Sequence, residues 1–263
     1  MSQKQLEGVG PAIEIAGVRV LSDALAQSGI DVSGFPAAAG VDLAVRFEAG
    51  KITAPGWQIE VPGLPPVVVA REGEGFVATE AGMAMNRMTL RMLMAEHLYS
   101  AGGLVVHASA RAWGDEVYVF LGATGAGKST VAAQAEGGAL VADDTVVLLP
   151  RPGVGCDVFG TPFSSQASQV GAPLQGRLAG IVLLEQALTF ELSELSRHRT
   201  LKRLFESLFL PPGQKSAGGA PLRTALQAAS GANGYTLRFP LGHAFHPRQL
   251  DDALPLPQPG SPL

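Results

Sequence analysis

Cysteine is almost missing from this chain: Cys156 is the only one in 263 residues. A single thiol excludes an internal disulfide and any metal site built on several cysteines. It suits a reducing cytoplasm, where we expect the protein to work. Charge is also scarce. Asp, Glu, Lys and Arg make up 16% of the chain, the formal net charge is −4 at pH 7, and the basic residues are scattered. This balance argues against nucleic acid or an anionic membrane as the main partner. The start of the chain has no apolar segment of the kind that directs secretion, and no apolar run approaches the ~20 residues a membrane-spanning helix needs. Apolar residues are plentiful, at 46%. At this length they can bury a substantial core, in one large domain or two small ones.

The densest chemistry lies in Gly122-Ala-Thr-Gly-Ala-Gly-Lys-Ser129, which satisfies the pattern G-x-x-x-x-G-K-[ST]. An apolar run, Val117-Tyr-Val-Phe-Leu121, enters it, and a helix-compatible run from Ser129 to Ala135 leaves it, the context this motif requires. Glycines at 122, 125 and 127 let successive backbone N–H groups turn inward, and the following helix adds the partial positive charge of its N-terminus. Such a cradle suits polyphosphate. Gly122, Ala123, Thr124, Gly125, Ala126, Gly127, Lys128, Ser129 and Thr130 are therefore the candidate nucleotide-binding residues. ATP and Mg²⁺ are the expected cofactors. Lys128 would reach the β- and γ-phosphates, and the Ser129 hydroxyl would be a ligand of Mg²⁺.

Beyond one helix and one short strand comes Gly138-Ala-Leu-Val-Ala-Asp-Asp-Thr-Val-Val-Leu-Leu149. The acid pair Asp143-Asp144 is expected at the strand end nearest the phosphate loop, in a compact βαβ unit. Adjacent side chains on an extended strand diverge, so Asp143 can face Mg²⁺ while Asp144 faces an incoming hydroxyl. That division suits phosphoryl transfer. Alternatively the pair simply caps a strand end.

The rest of the chain frames this centre. Residues 1–85 read as a small β-rich module, with short runs such as Val18-Arg-Val-Leu21 and Val67-Val-Val-Ala70 punctuated by Gly and Pro. Packing, oligomer contact and substrate recognition are all open to it. From Asn86 to Ser100 the spacing predicts a helix with a broad apolar face, leaving Arg87, Arg91 and Glu96 elsewhere on its surface. A hairpin is expected from Gly103–Arg111 and Val117–Leu121, which would put His107 on the strand beside the one delivering the loop. A lone strand histidine is more often a satisfied core residue, but this neighbourhood makes His107 a catalytic candidate. The stretch Phe159-Gly-Thr-Pro-Phe-Ser-Ser-Gln166 reads as a polar segment that is either a substrate loop or a connector. Arg197, Arg199, Lys202 and Arg203 form a basic cluster suited to phosphate or to solvent. His243 and His246 lack a third ligand for zinc. The proline-rich tail, 251–263, is expected to be disordered.

Taken together, His107, Gly122-Ala-Thr-Gly-Ala-Gly-Lys-Ser-Thr130 and Leu140-Val-Ala-Asp-Asp144 resemble the catalytic core of the HPr kinase/phosphorylase family and its smaller relatives, the peptide-tailoring kinases. That resemblance implies an α/β fold with a mixed sheet, related to phosphoenolpyruvate carboxykinase, over residues 86–250. It also implies that Asp143, Asp144, His107 and Lys128 are catalytic, with one of the two aspartates acting as base toward a serine hydroxyl. The loop continues Lys128-Ser129-Thr130 where HPr kinases proper have Lys-Ser-Glu, which favours an acceptor other than HPr. The expected function is Mg-ATP-dependent phosphorylation of a serine in a protein or peptide. The alternatives are a nucleotide-binding regulator without kinase activity and a small-molecule or carboxykinase-like enzyme.

Overall fold

The computed structural model describes residues 12–134, 137–164, 171–210 and 219–240. The protein is mixed α/β. Its first part holds two small sheets. β1 (Ala12–Ile15) and β2 (Val18–Leu21) form a hairpin whose two turn residues, Ala16 and Gly17, both have positive φ, the backbone that matches strand twist in two-residue hairpins. α1 (Ser22–Gln27) follows, and β3 (Ala37–Ala38) pairs with β1. β4 (Val45–Glu48), β5 (Gly56–Ile59), β6 (Val67–Glu72) and β7 (Gly75–Thr79) make the second sheet, in the order β4-β7-β6-β5. The long helix α2 (Met83–Ser100) comes next.

The second part is one nine-stranded sheet. Its elements are β8 (Leu104–His107), β9 (Ser109–Trp113), β10 (Glu116–Leu121), α3 (Lys128–Gln134), β11 (Ala139–Ala142), β12 (Thr145–Pro150), β13 (Cys156–Phe159), β14 (Gln175–Gln186), β15 (Glu191–Glu194), α4 (Arg197–Glu206), α5 (Ala220–Gly231) and β16 (Asn233–Phe239). The main path runs β11-β9-β10-β14-β13-β12-β8. β14 forks it: Asp157–Phe159 of β13 pair with the start of β14, and β16 pairs in parallel with the rest.

The sheet curls because one two-stranded ribbon belongs to both of its ends. β9 is antiparallel to β11, and β8 is antiparallel to β12. The chain passes from β8 to β9 through Ala108 alone, and from β11 to β12 through Asp143-Asp144. One register crosses this corner, with Ala110 opposite Ala142 before it and His107 opposite Thr145 after it. The sheet therefore bends into a half-barrel with the acid pair on the fold line. This amends two sequence expectations. Residues 103–111 are not one strand beside β10, because His107 lies past the bend, against Thr145. The βαβ unit is looser than expected, since β9 separates the parallel strands β10 and β11.

Alternation along β10 explains why it is buried on both faces. Val117, Val119 and Leu121 join the large core, which runs unbroken from Ile13 in the first hairpin through α2 to Ala228 in α5. Tyr118 and Phe120 point the other way, into a second cluster with Val131 of α3, Val182 and Leu184 of β14, and Tyr235, Leu237 and Phe239 of β16. Among the described residues no helix is long and apolar enough to cross a membrane.

Candidate functional site

The glycine loop bridges β10 and α3, and its shape depends on two left-handed glycines. Gly125 has φ +80° and Gly127 φ +93°. The N–H of Ala126 donates to the Ala123 carbonyl at 3.0 Å, closing a turn with Gly125 at the position that needs positive φ. Left-handed residues on either side of Ala126 give the alternation that aims backbone amides to one side. Gly122 is required for space: a Cβ there would stand 2.8 Å from Ala126 Cβ and 3.2 Å from the Leu184 carbonyl. Ala123, Thr124 and Gly125 are exposed, and Ser129 and Thr130 are half-buried in the first turn of α3. Gln186, at the end of β14, braces the loop through an N–H bond to the Gly125 carbonyl at 2.6 Å.

Lys128 is buried under this loop, where its ammonium donates to the carbonyls of Gly122 (3.0 Å) and Ala123 (3.2 Å). Burial lowers its pKa, and the charges of Asp144 and then Asp143 oppose that fall. Strand register brings the acids to the same edge as the loop, with Val119 of β10 and Ala142 of β11 both opposite Ala110 of β9, and the Ser109 hydroxyl donating to the Lys128 carbonyl at 2.9 Å. The glycine loop and the acid pair therefore follow strands that end on the same edge of the sheet.

Both acids lie at the corner, on the link between β11 and β12. Asp143 is 2% exposed. Asp144 turns toward α2, where its Oδ2 accepts from the Arg91 guanidinium at 2.5 Å and from the Thr145 hydroxyl at 3.0 Å. Arg91 also donates through Nε to Thr145 Oγ1 at 2.9 Å, and its guanidinium lies 5.1 Å from the centre of the Phe163 ring and 5.7 Å from that of Phe209. Burial lowers the Arg91 pKa and the Asp144 charge raises it. Asp144 Oδ1 stands 3.4 Å from His107 Nδ1, which is also 3.1 Å from the Asp144 carbonyl oxygen. That carbonyl can only accept, so Nδ1 carries the proton in this contact and Nε2 of the neutral ring is left as an acceptor. Burial is also the largest influence on His107 and moves its pKa down, against the pull of Asp144.

Arg91 is the residue that sequence reasoning missed. It was expected away from the apolar face of α2, yet it is 8% exposed and is the main partner of Asp144. Nothing in the local pattern could reveal this, because its partners lie more than fifty residues away. The stretch after β13 is likewise less polar than expected. Phe163 is 1% exposed beneath Arg91, and the Thr161 hydroxyl donates to the Thr145 carbonyl at 2.6 Å, so this segment supports the corner from below. On α4, Lys202 and Arg203 are spent on surface pairs with Glu206. Gln166, His243, His246 and the tail from 251 lie outside the described residues. Among the described residues no cluster of three or more His, Cys, Asp or Glu is placed to hold a metal by itself. Comparison with protein-family models and with curated protein sequences gives no match.

Proposed function

We propose that this protein is a Mg-ATP-dependent kinase that transfers the γ-phosphoryl group to a serine hydroxyl of a protein or peptide. The observation that carries the reading is that the glycine loop and the acid corner flank the same piece of chain: the Ser109 hydroxyl donates to the Lys128 carbonyl at 2.9 Å, and the N–H of the adjacent Ala108 donates to the Asp144 carbonyl at 3.0 Å. The donor set fits the cofactor. Mg²⁺ needs only one or two protein oxygens, because it keeps waters and takes phosphate oxygens for the rest. Buried Asp143 and the hydroxyl of Ser129 would hold it, and when bound it neutralises charge on the β- and γ-phosphoryl oxygens.

The chain's own groups account for the remaining work. Lys128 would exchange the carbonyls of Gly122 and Ala123 for anionic phosphate oxygens, which are stronger acceptors. Asp144 is held by Arg91 and Thr145 through Oδ2, and Oδ1, which faces His107 Nδ1 at 3.4 Å, would take the proton of the acceptor hydroxyl. His107 lines the same corner as a neutral ring and fixes the approach to Oδ1. The finer fold assignment, an HPr kinase-like core related to phosphoenolpyruvate carboxykinase, is part of this proposal. It is supported by a loop-bearing strand with one antiparallel neighbour, β9, and one parallel neighbour, β14.

The test is transfer from γ-labelled ATP to serine peptides, beginning with those encoded beside this gene. Asp144→Asn should lower transfer by about 10²- to 10⁴-fold while nucleotide still binds, the range typical of losing a general base. Unchanged turnover in both Asp143→Asn and Asp144→Asn sinks the assignment. A second reading, a nucleotide-binding regulator, is favoured by one feature, the engagement of Asp144 by Arg91. It requires tight nucleotide binding with no transfer to any peptide.

A further inference from the structure

We infer that the turn formed by residues 187–190 holds the nucleobase of the nucleotide, an inference that rests on the nucleotide-binding reading above. β10, β14 and β16 run parallel, so their C-terminal ends share one edge, where ligands of such sheets bind. The glycine loop follows β10 and the turn follows β14. One contact joins this end of β14 to the loop, and a second ties the turn to the end of β16. Gln186 Nε2 donates to the Gly125 carbonyl at 2.6 Å, and the N–H of Ala187 donates at 3.0 Å to the carbonyl of Phe239, whose ring backs Gly127.

On this edge the turn presents apolar side chains to solvent. Leu188 is 97% exposed and Phe190 37%. Singly exposed apolar residues are ordinary. These two lie within three residues of each other, directly after the side chain that braces the loop. Leu188 is two residues beyond Gln186, at most about 7 Å of chain. The α-phosphate and ribose separating a bound β-phosphate from its base cover a comparable length. Apolar packing reads the face of a ring and not its edge, so the site should take ATP and GTP nearly alike.

Calorimetry with Mg-ATP, Mg-GTP and Mg-tripolyphosphate tests this on the full chain. Both nucleotides should bind about tenfold more tightly than tripolyphosphate, the difference expected of one packed base. Leu188→Ser, at a position too exposed to affect folding, should shrink that advantage several-fold and leave tripolyphosphate affinity unchanged. Phe190→Ala should act in the same direction. Equal affinity of ATP and tripolyphosphate for the unmodified protein, or an advantage that survives both substitutions, overturns the inference while the phosphate-loop reading stands. Failure of all three ligands to bind overturns both.

Discussion

Replacing Arg91 with methionine should unmask how the acid corner is held together. Methionine keeps most of the side-chain volume against Phe163 and Phe209 and removes the charge. Asp144, whose side chain is only 14% exposed, would then keep the Thr145 hydroxyl but lose its counter-charge. Removing one partner of a buried pair costs about 3–5 kcal/mol. Lys128 is near enough to offset part of that loss, so we expect the low end, about 3 kcal/mol. For a chain of this size that corresponds to a drop of roughly 6–12 °C in Tm. Asp144→Asn should also destabilise, by stranding the guanidinium. The double variant, with no charge left to strand, should be more stable than the sum of the two single losses predicts, and closer to the parent than Arg91→Met alone. Thermal and urea melts of all four proteins read this directly. Strictly additive losses, or a loss under about 1 kcal/mol for Arg91→Met, would refute a coupled buried pair and demote the contact to a surface ion pair.

Three further outcomes follow from individual sites. Gly127→Ala should cost about 1–3 kcal/mol and also weaken nucleotide binding, because it combines φ +93° with a contact 3.1 Å from Phe239. Gly153→Ala, with φ +92° and open space around it, is the control for strain alone and should spare nucleotide affinity in the same calorimetry. The depressed pKa of His107 means that the unfolded chain binds its proton first as pH falls. Stability should therefore decline as pH drops from about 6.5 toward the lower native value, and His107→Gln should remove that slope from urea melts. Cys156 is fully buried, its thiol pushed up to about 12 and directed at the Thr224 carbonyl. Iodoacetamide at pH 8 should leave it unmodified in the native protein and label it in urea, as read by mass spectrometry.

Local segments were legible wherever a pattern and its cause sit within a few residues of each other. Val18–Leu21 is the strand its alternation announced, and Val67-Val-Val-Ala70 opens β6. The helix expected from Asn86 to Ser100 begins three residues earlier, at Met83. The glycine motif lies between a buried strand and a helix, as its spacing requires, and the acid pair ends an apolar strand. Two elements gave little signal: α1 has six residues, too few for a helical period to show, and β13 has four.

The amino-acid order by itself determined which residues can bend, which carry a positive charge and which can carry a proton. Glycine at 125 and 127, lysine at 128 and aspartate at 143 and 144 act through backbone freedom and side-chain chemistry, properties that belong to each residue wherever it lies. Tertiary structure alone decided the partners. The fold line through Ala108 and Asp143-Asp144 exists only because one ribbon serves both ends of a curled sheet. Arg91 reaches Asp144 across 53 positions of sequence only because α2 packs against β8. Charge pairing inside a core depends on distance in space, and no local period of the chain encodes that distance.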